Sequence, residues 1–114
     1  MSDNLEDAQA IRMVLQRLIM GGSKVTMAYQ SQKADFPVHT EDGSKLSLKM
    51  SLEEVSGWAL KAGESVSLKL EDRGLKYETV TAFHAPNNLE GVEVAGLAIP
   101  RILRRSDSHR MAAF

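Results

Sequence analysis

The sequence predicts a mainly β fold: a small antiparallel β-barrel with an N-terminal amphipathic helix and one short inserted helix. Three observations predict it. Apolar residues recur at three- and four-residue steps near the start of the chain. After Gly21-Gly22 the period drops to two over several successive runs. Turn sequences such as Asp42-Gly43 and Asp72-Arg73-Gly74 separate those runs.

Leu5, Ala8, Ile11, Leu15 and Leu18 form the helical stripe, with Val14 and Ile19 beside it. Acids at its start, Arg12 and Arg17 further along, and the stop at Gly21-Gly22 place one helix from about Asn4 to Met20. Val25, Met27 and Tyr29 then alternate with Thr26, Ala28 and Gln30. Leu46, Leu48 and Met50 alternate with Lys45, Ser47 and Lys49, and Val66, Leu68 and Leu70 with Ser65, Ser67 and Lys69. Leu75, Tyr77, Thr81 and Phe83 share one face, and Val92 and Val94 open a further run. Alternation of this kind puts one face on a core and the other in water. Asp42-Gly43 predicts a hairpin between Val38-His39-Thr40 and Lys45-Leu46-Ser47, and Pro86-Asn87-Asn88 is expected to break the last pair. Ser51-Leu52-Glu53-Glu54 reads as a capping box that opens the short helix, running to about Leu60 and ended near Gly63. The sum is about six strands over residues 24 to 99, with Val25, Met27, Leu46, Leu48, Val66, Leu68, Tyr77 and Val94 pointing inward.

At 114 residues the chain fits one ordinary core. Its 43% hydrophobic and 25% charged residues are those of a globular domain. A net charge of -1 provides no whole-surface field for a nucleic-acid polymer, so an anion site has to be local. The absence of cysteine excludes disulfides, thiolate zinc sites and cysteine nucleophiles. The acidic start and the charges inside Ile11 to Met20 fit neither a secretory signal nor membrane insertion, which predicts a cytoplasmic protein.

Most candidate chemistry dissolves on inspection. His39, His84 and His109 fall on different segments without metal-ligand spacing, so no metal site is expected. Glu53 and Glu54 point about 100° apart on a helix and serve better as caps than as a catalytic pair. Gly21-Gly22 stand in the wrong order for a phosphate-binding turn. Met13, Met20, Met27 and Met50 lie on or beside periodic segments and are expected in the core, with Trp58 as a lid over one barrel end. No acid–base constellation is visible, and the chain is not expected to be an enzyme or to carry a cofactor.

The C-terminus differs. Arg101, Arg104, Arg105 and Arg110 lie within ten positions, opposed only by Asp107. Guanidinium forks bind phosphates bidentately and stack on purine faces, so a flexible arginine strand suits a nucleotide; a solvated basic tail is the other reading.

The order of features resembles the N-terminal domain of YcgR-like flagellar brake proteins. The residues that carry the resemblance are Gly22, Ser23 and Val25 after the helix, the hairpin-rich barrel, and Ile99-Pro100 running into the arginines. That resemblance implies a split barrel over 1–100 and an arginine-rich linker over 101–114, leading to a PilZ domain that these residues do not include. It implies cyclic di-GMP as a regulatory ligand, held in part by Arg104, Arg105 and Arg110. It also implies a role in motility or surface attachment, with a protein partner such as the flagellar motor. The family's linker has two adjacent arginines, three residues and a further arginine; here four residues separate Arg105 from Arg110. The alternative function is a stand-alone protein-binding scaffold or adaptor without nucleotide binding.

Overall fold

A computed structural model of the chain describes residues 4–106. Their order is α1 (Ala8–Met20), β1 (Lys24–Tyr29), β2 (Gln32–Glu41), β3 (Lys45–Lys49), α2 (Leu52–Trp58), β4 (Ser65–Asp72), β5 (Leu75–Leu89), β6 (Val92–Ala98) and β7 (Arg104–Arg105).

Six strands pair antiparallel in the order β4-β1-β2-β3-β6-β5, and a β4–β5 ladder from Ser65↔Ala82 to Asp72↔Leu75 closes the ring. This is the closed barrel that the alternation predicts. Val25, Met27, Leu46, Leu48, Val66, Leu68 and Tyr77 are buried in the core, as expected of the inward face. Val94 is corrected: it is buried, but it pairs with Lys49 on the other face of the wall, and Ala95, opposite Leu48, takes the inward position. Closure removes sheet edges, the main hazard of a small β protein.

Two long strands turn the corners. β2 pairs with β1 as far as Pro37, shifts register between Val38 and Thr40, and continues along β3. β5 pairs with β4 as far as Ala82, shifts between Phe83 and Ala85, and continues along β6. Such irregularities bend a strand and let it serve two walls. Gly96 sits opposite the second one: a Cβ there would come within 3.1 Å of the Ala85 carbonyl oxygen. The turns use the conformations that twisted hairpins need. Arg73-Gly74 and Glu90-Gly91 both have positive φ at both positions, as in a type I′ turn. At Asp42-Gly43-Ser44 the Asp42 carboxylate accepts from the Ser44 and Lys45 amides.

Several expectations are corrected. α1 begins at Ala8, because Asp7 caps it by accepting from the Ala10 amide; Leu5 lies outside the helix and bridges to Leu103 instead. Pro86-Asn87-Asn88 does not break a strand. It lies inside β5, in the half that pairs only with β6, where a missing N–H is tolerated, and the turn comes at Glu90-Gly91. Leu75 shares the face of Tyr77 as expected, but at the hairpin end it is exposed. Ser47 is buried despite its outward parity, on the face it shares with its partner Gly96. Met27 and Met50 are in the core, but Met13 and Met20 are exposed on α1, which turns only one face to the barrel. The short helix keeps its capping box through Ser51 and Glu54, but it ends at Ala59 in the left-handed region, short of Gly63. Trp58 is half-buried, its ring 5.6 Å from that of Phe36 and edge-on to it.

α1 seats Ile11, Val14, Leu15 and Leu18 on the barrel. Each such side chain contributes about 1.5–3 kcal/mol on burial. The helix also makes two ion pairs, Arg12–Glu41 at 3.0 Å and Arg17–Asp72 at 2.8 Å. Partly exposed pairs are worth about 0–1 kcal/mol, so burial holds the helix and the pairs set its orientation. Arg12, helped by Gln16 and the Gly43 amide, holds the Glu41 carboxyl below the usual range against the opposing effect of burial. No helix among the described residues is long and apolar enough to cross a membrane.

Candidate functional site

The arginine segment is not a free strand where it is described. Beyond β6 the chain passes Ile99-Pro100 and an exposed Arg101, then returns to the barrel at Leu103, which is completely buried. Burying that leucine contributes about 1.5–3 kcal/mol and anchors the arginine pair next to it. β7 pairs antiparallel with β5, Tyr77↔Arg105 and Glu78↔Arg104. β5 already pairs with β4 at those residues on its other side, so β7 continues the line of β6 along the same edge. The Ser106 amide donates to the Lys76 carbonyl at 3.0 Å. The flexibility expected of this stretch is thereby corrected for Arg104 and Arg105: their backbone belongs to the sheet. Arg104 points into solvent and Arg105 is half-buried. Arg110 and His109 lie outside the described residues.

The face around Arg104 was missed in the sequence. Strand pairing aligns Thr26, Lys69, Glu78 and Arg104 in one row across β1, β4, β5 and β7. Glu71 faces Lys76 in the next row. A shallow groove of about 510 Å³ runs along this outer face, with Lys24, Lys69 and Lys76 on its walls and Glu71 and Glu78 between them. With Arg104 beside it, cations outnumber acids on a chain whose total charge is -1. Such a local surplus suits an anionic ligand at short range, because salt screens exposed charges beyond about 8–10 Å. Each lysine sits on a different strand and none is part of a run. Only the register, combined with outward parity, could have grouped them.

His39 is half-buried on β2 and His84 exposed on β5, and among the described residues no group of three His, Cys, Asp or Glu side chains could hold a metal. Glu53 is exposed beside the capping Glu54.

No protein-family model and no curated protein matches the sequence. Solved structures do match. The N-terminal domain of YcgR from Escherichia coli superposes with a TM-score of 0.74 at 14% identity, over 90% of this chain and 93% of that one. YcgR in complex with c-di-GMP gives 0.76 at 14% identity, over 90% of this chain and 45% of that one. MrkH of K. pneumoniae in its apo state gives 0.73 at 9% identity, over 92% of this chain. MrkH is described as a c-di-GMP-dependent transcription regulatory factor and is also known in complex with c-di-GMP. The chain spans 44% of the apo MrkH chain. The barrel fold of the YcgR N-terminal domain, expected from the resemblance, is therefore the fold of this chain.

Proposed function

We propose that this chain is the barrel module of a cyclic di-GMP-responsive regulator, with Arg104, Arg105 and Arg110 contributing contacts to the nucleotide. The observation that carries the reading is an arginine pair fixed by its backbone to a barrel of the YcgR N-terminal fold, at the rim of a cationic face. Guanidinium groups grip phosphate oxygens in pairs and stack on guanine, which a cyclic dinucleotide offers twice over. The barrel is the rigid part. Its role is to present the arginines to the ligand and, as the ligand engages, to change its orientation relative to the domain beyond them, a hinge-type switch.

The role is regulatory and cytoplasmic rather than enzymatic, with the nucleotide as signal and no resident cofactor. The output is control of motility or surface attachment through a protein partner, of which the flagellar motor is one. A domain of residues 1–100 and a linker over 101–114 into a PilZ domain belong to the same reading.

The test is calorimetric titration of cyclic di-GMP into the 114-residue chain and into the longest native reading frame that contains it. The short chain should bind more weakly than micromolar, since a few exposed contacts do not offset the ordering of arginine side chains, up to about 2 kcal/mol each. The long form should bind, and Arg105→Ala or Arg110→Ala should each weaken it more than tenfold, about 1.4 kcal/mol. Binding untouched by both substitutions would remove the arginines from the site, and no binding by the long form would end the proposal.

A further inference from the structure

β7 cannot hold itself in place. It is two residues long, and the net worth of each backbone hydrogen bond is no larger than the ordering entropy of the residue it fixes. Its support comes from the opposite end of the chain. Leu5 and Leu103 exchange both backbone bonds, each 2.9 Å, in an antiparallel bridge. One residue pair further out, the Arg105 amide donates to the Asn4 side-chain oxygen at 3.2 Å. Successive groups along the segment therefore point to opposite sides. Leu103 and Arg105 bond the N-terminal segment, while Ser106 bonds β5. The N-terminal segment is itself tied to α1, whose first turn is closed by Asp7 through its carboxylate to Ala10 and its carbonyl to Ile11.

We propose that Asn4 and Leu5 form a clasp that fixes the point and direction in which the arginine strand leaves the barrel, so that they are positioning residues for the arginine site. α1, its cap, the clasp and residues 103–105 make one continuous bonded path. Anything that pulls on the N-terminus, a bound partner or a modification, is transmitted to Arg104 and Arg105 without touching them. Only the last step rests on the proposed function; the clasp itself does not.

The experiment is amide hydrogen exchange, read by NMR at Leu103, Arg105 and Ser106, with Leu48 and Leu97 of the β3–β6 wall as internal reference. Leu5→Pro deletes the donor to the Leu103 carbonyl, and Asn4→Ala deletes the acceptor for Arg105. Leu5→Pro should accelerate exchange at Leu103 and Ser106 by at least about tenfold while Leu48 and Leu97 keep their rates. Asn4→Ala should accelerate Arg105 severalfold. Unchanged rates at all three sites overturn the clasp; if Leu5→Pro loosens the reference wall as well, Asn4→Ala decides alone. Cyclic di-GMP titration of the longest native reading frame supplies the second arm. Leu5→Pro should weaken binding at least about fivefold, and faster exchange with unchanged affinity overturns the positioning role. A wild-type chain that binds no nucleotide overturns the proposed function, and the exchange rates then judge the clasp by themselves.

Discussion

The β3–β6 wall and the β7 edge are held in opposite ways. In the wall, five consecutive residue pairs run from Lys45↔Ala98 to Lys49↔Val94, and Leu46, Leu48, Ala95 and Leu97 are completely buried. At the edge, two pairs suffice, one buried leucine serves as anchor, and the remaining bonds come from the far end of the chain. The wall is built by buried side chains. In β3, Leu46 and Leu48 between Lys45 and Lys49 already announce their face, whereas in β6 the unbroken burial from Val94 to Leu97 hides it. The edge is built by backbone groups and by a contact between the two ends of the described chain. Substitutions should therefore be felt as lost stability in the wall and as lost placement at the edge.

The largest effect should come from the barrel interior. Leu68 is completely buried on β4 opposite Met27, and Leu68→Ala should destabilise the fold by about 2–5 kcal/mol in urea titration. A loss under about 0.5 kcal/mol would mean that the side chain faces water and that the register is wrong. Next comes the corner where β5 changes partners. Gly96→Ala puts a Cβ 3.1 Å from the Ala85 carbonyl oxygen, tighter than ordinary contact, and that oxygen is backbone and cannot rotate away. Overpacking of this order costs about 1–3 kcal/mol, and an unchanged denaturation midpoint would show that the bulge yields freely.

Smaller still is the contribution of the α1–β2 contact, and it should appear as a pH dependence. Glu41 has a folded-state pKa below its ordinary value of 4.5, first because Arg12 donates to it. A depressed carboxylate stabilises the fold above its unfolded pKa and loses that contribution as pH falls through the folded value. The urea midpoint should thus decline below about pH 4.5, and Glu41→Gln should lower the midpoint at pH 7 and flatten the decline. Asp42, also lowered, first by the Ser44 amide, leaves part of the slope in place. An identical slope in Glu41→Gln would mean that the Arg12 contact is not maintained in solution.

Legibility in the sequence divides along the same line. Strands whose inward residues are large and whose outward residues are polar, such as Val66 to Leu70, declared themselves, and so did the capping box at Ser51 and Glu54. The first half of β2 did not: Gln32, Lys33, Ala34 and Asp35 alternate exposed with half-buried and carry no large apolar residue before Phe36. Leu5 fitted the helical stripe by spacing, but the Asp7 cap decides where the helix starts, and Leu5 is recruited by Leu103. At the candidate site, the composition of the C-terminus singled out Arg104 and Arg105. The lysines beside them needed strand register, which no local pattern encodes.

The smallest effect on folding belongs to Arg104, and there the comparison is sharpest. The side chain is exposed, makes no ion pair among the described residues, and sits one residue beyond the leucine that anchors the segment. Glu78 is its cross-strand neighbour, yet the two side chains are not joined. Arg104→Ala should leave the stability within about 0.5 kcal/mol of the wild type, as surface substitutions do. Leu103→Ala, one position earlier, should cost about 2–5 kcal/mol, the range for a buried leucine. If both behave so, the chain places an energetically idle cation on a costly anchor, an arrangement that folding alone does not require. A loss above about 1 kcal/mol for Arg104→Ala would give the arginine a structural duty, such as a bridge to Glu78 in solution, and would weaken its claim as a ligand residue.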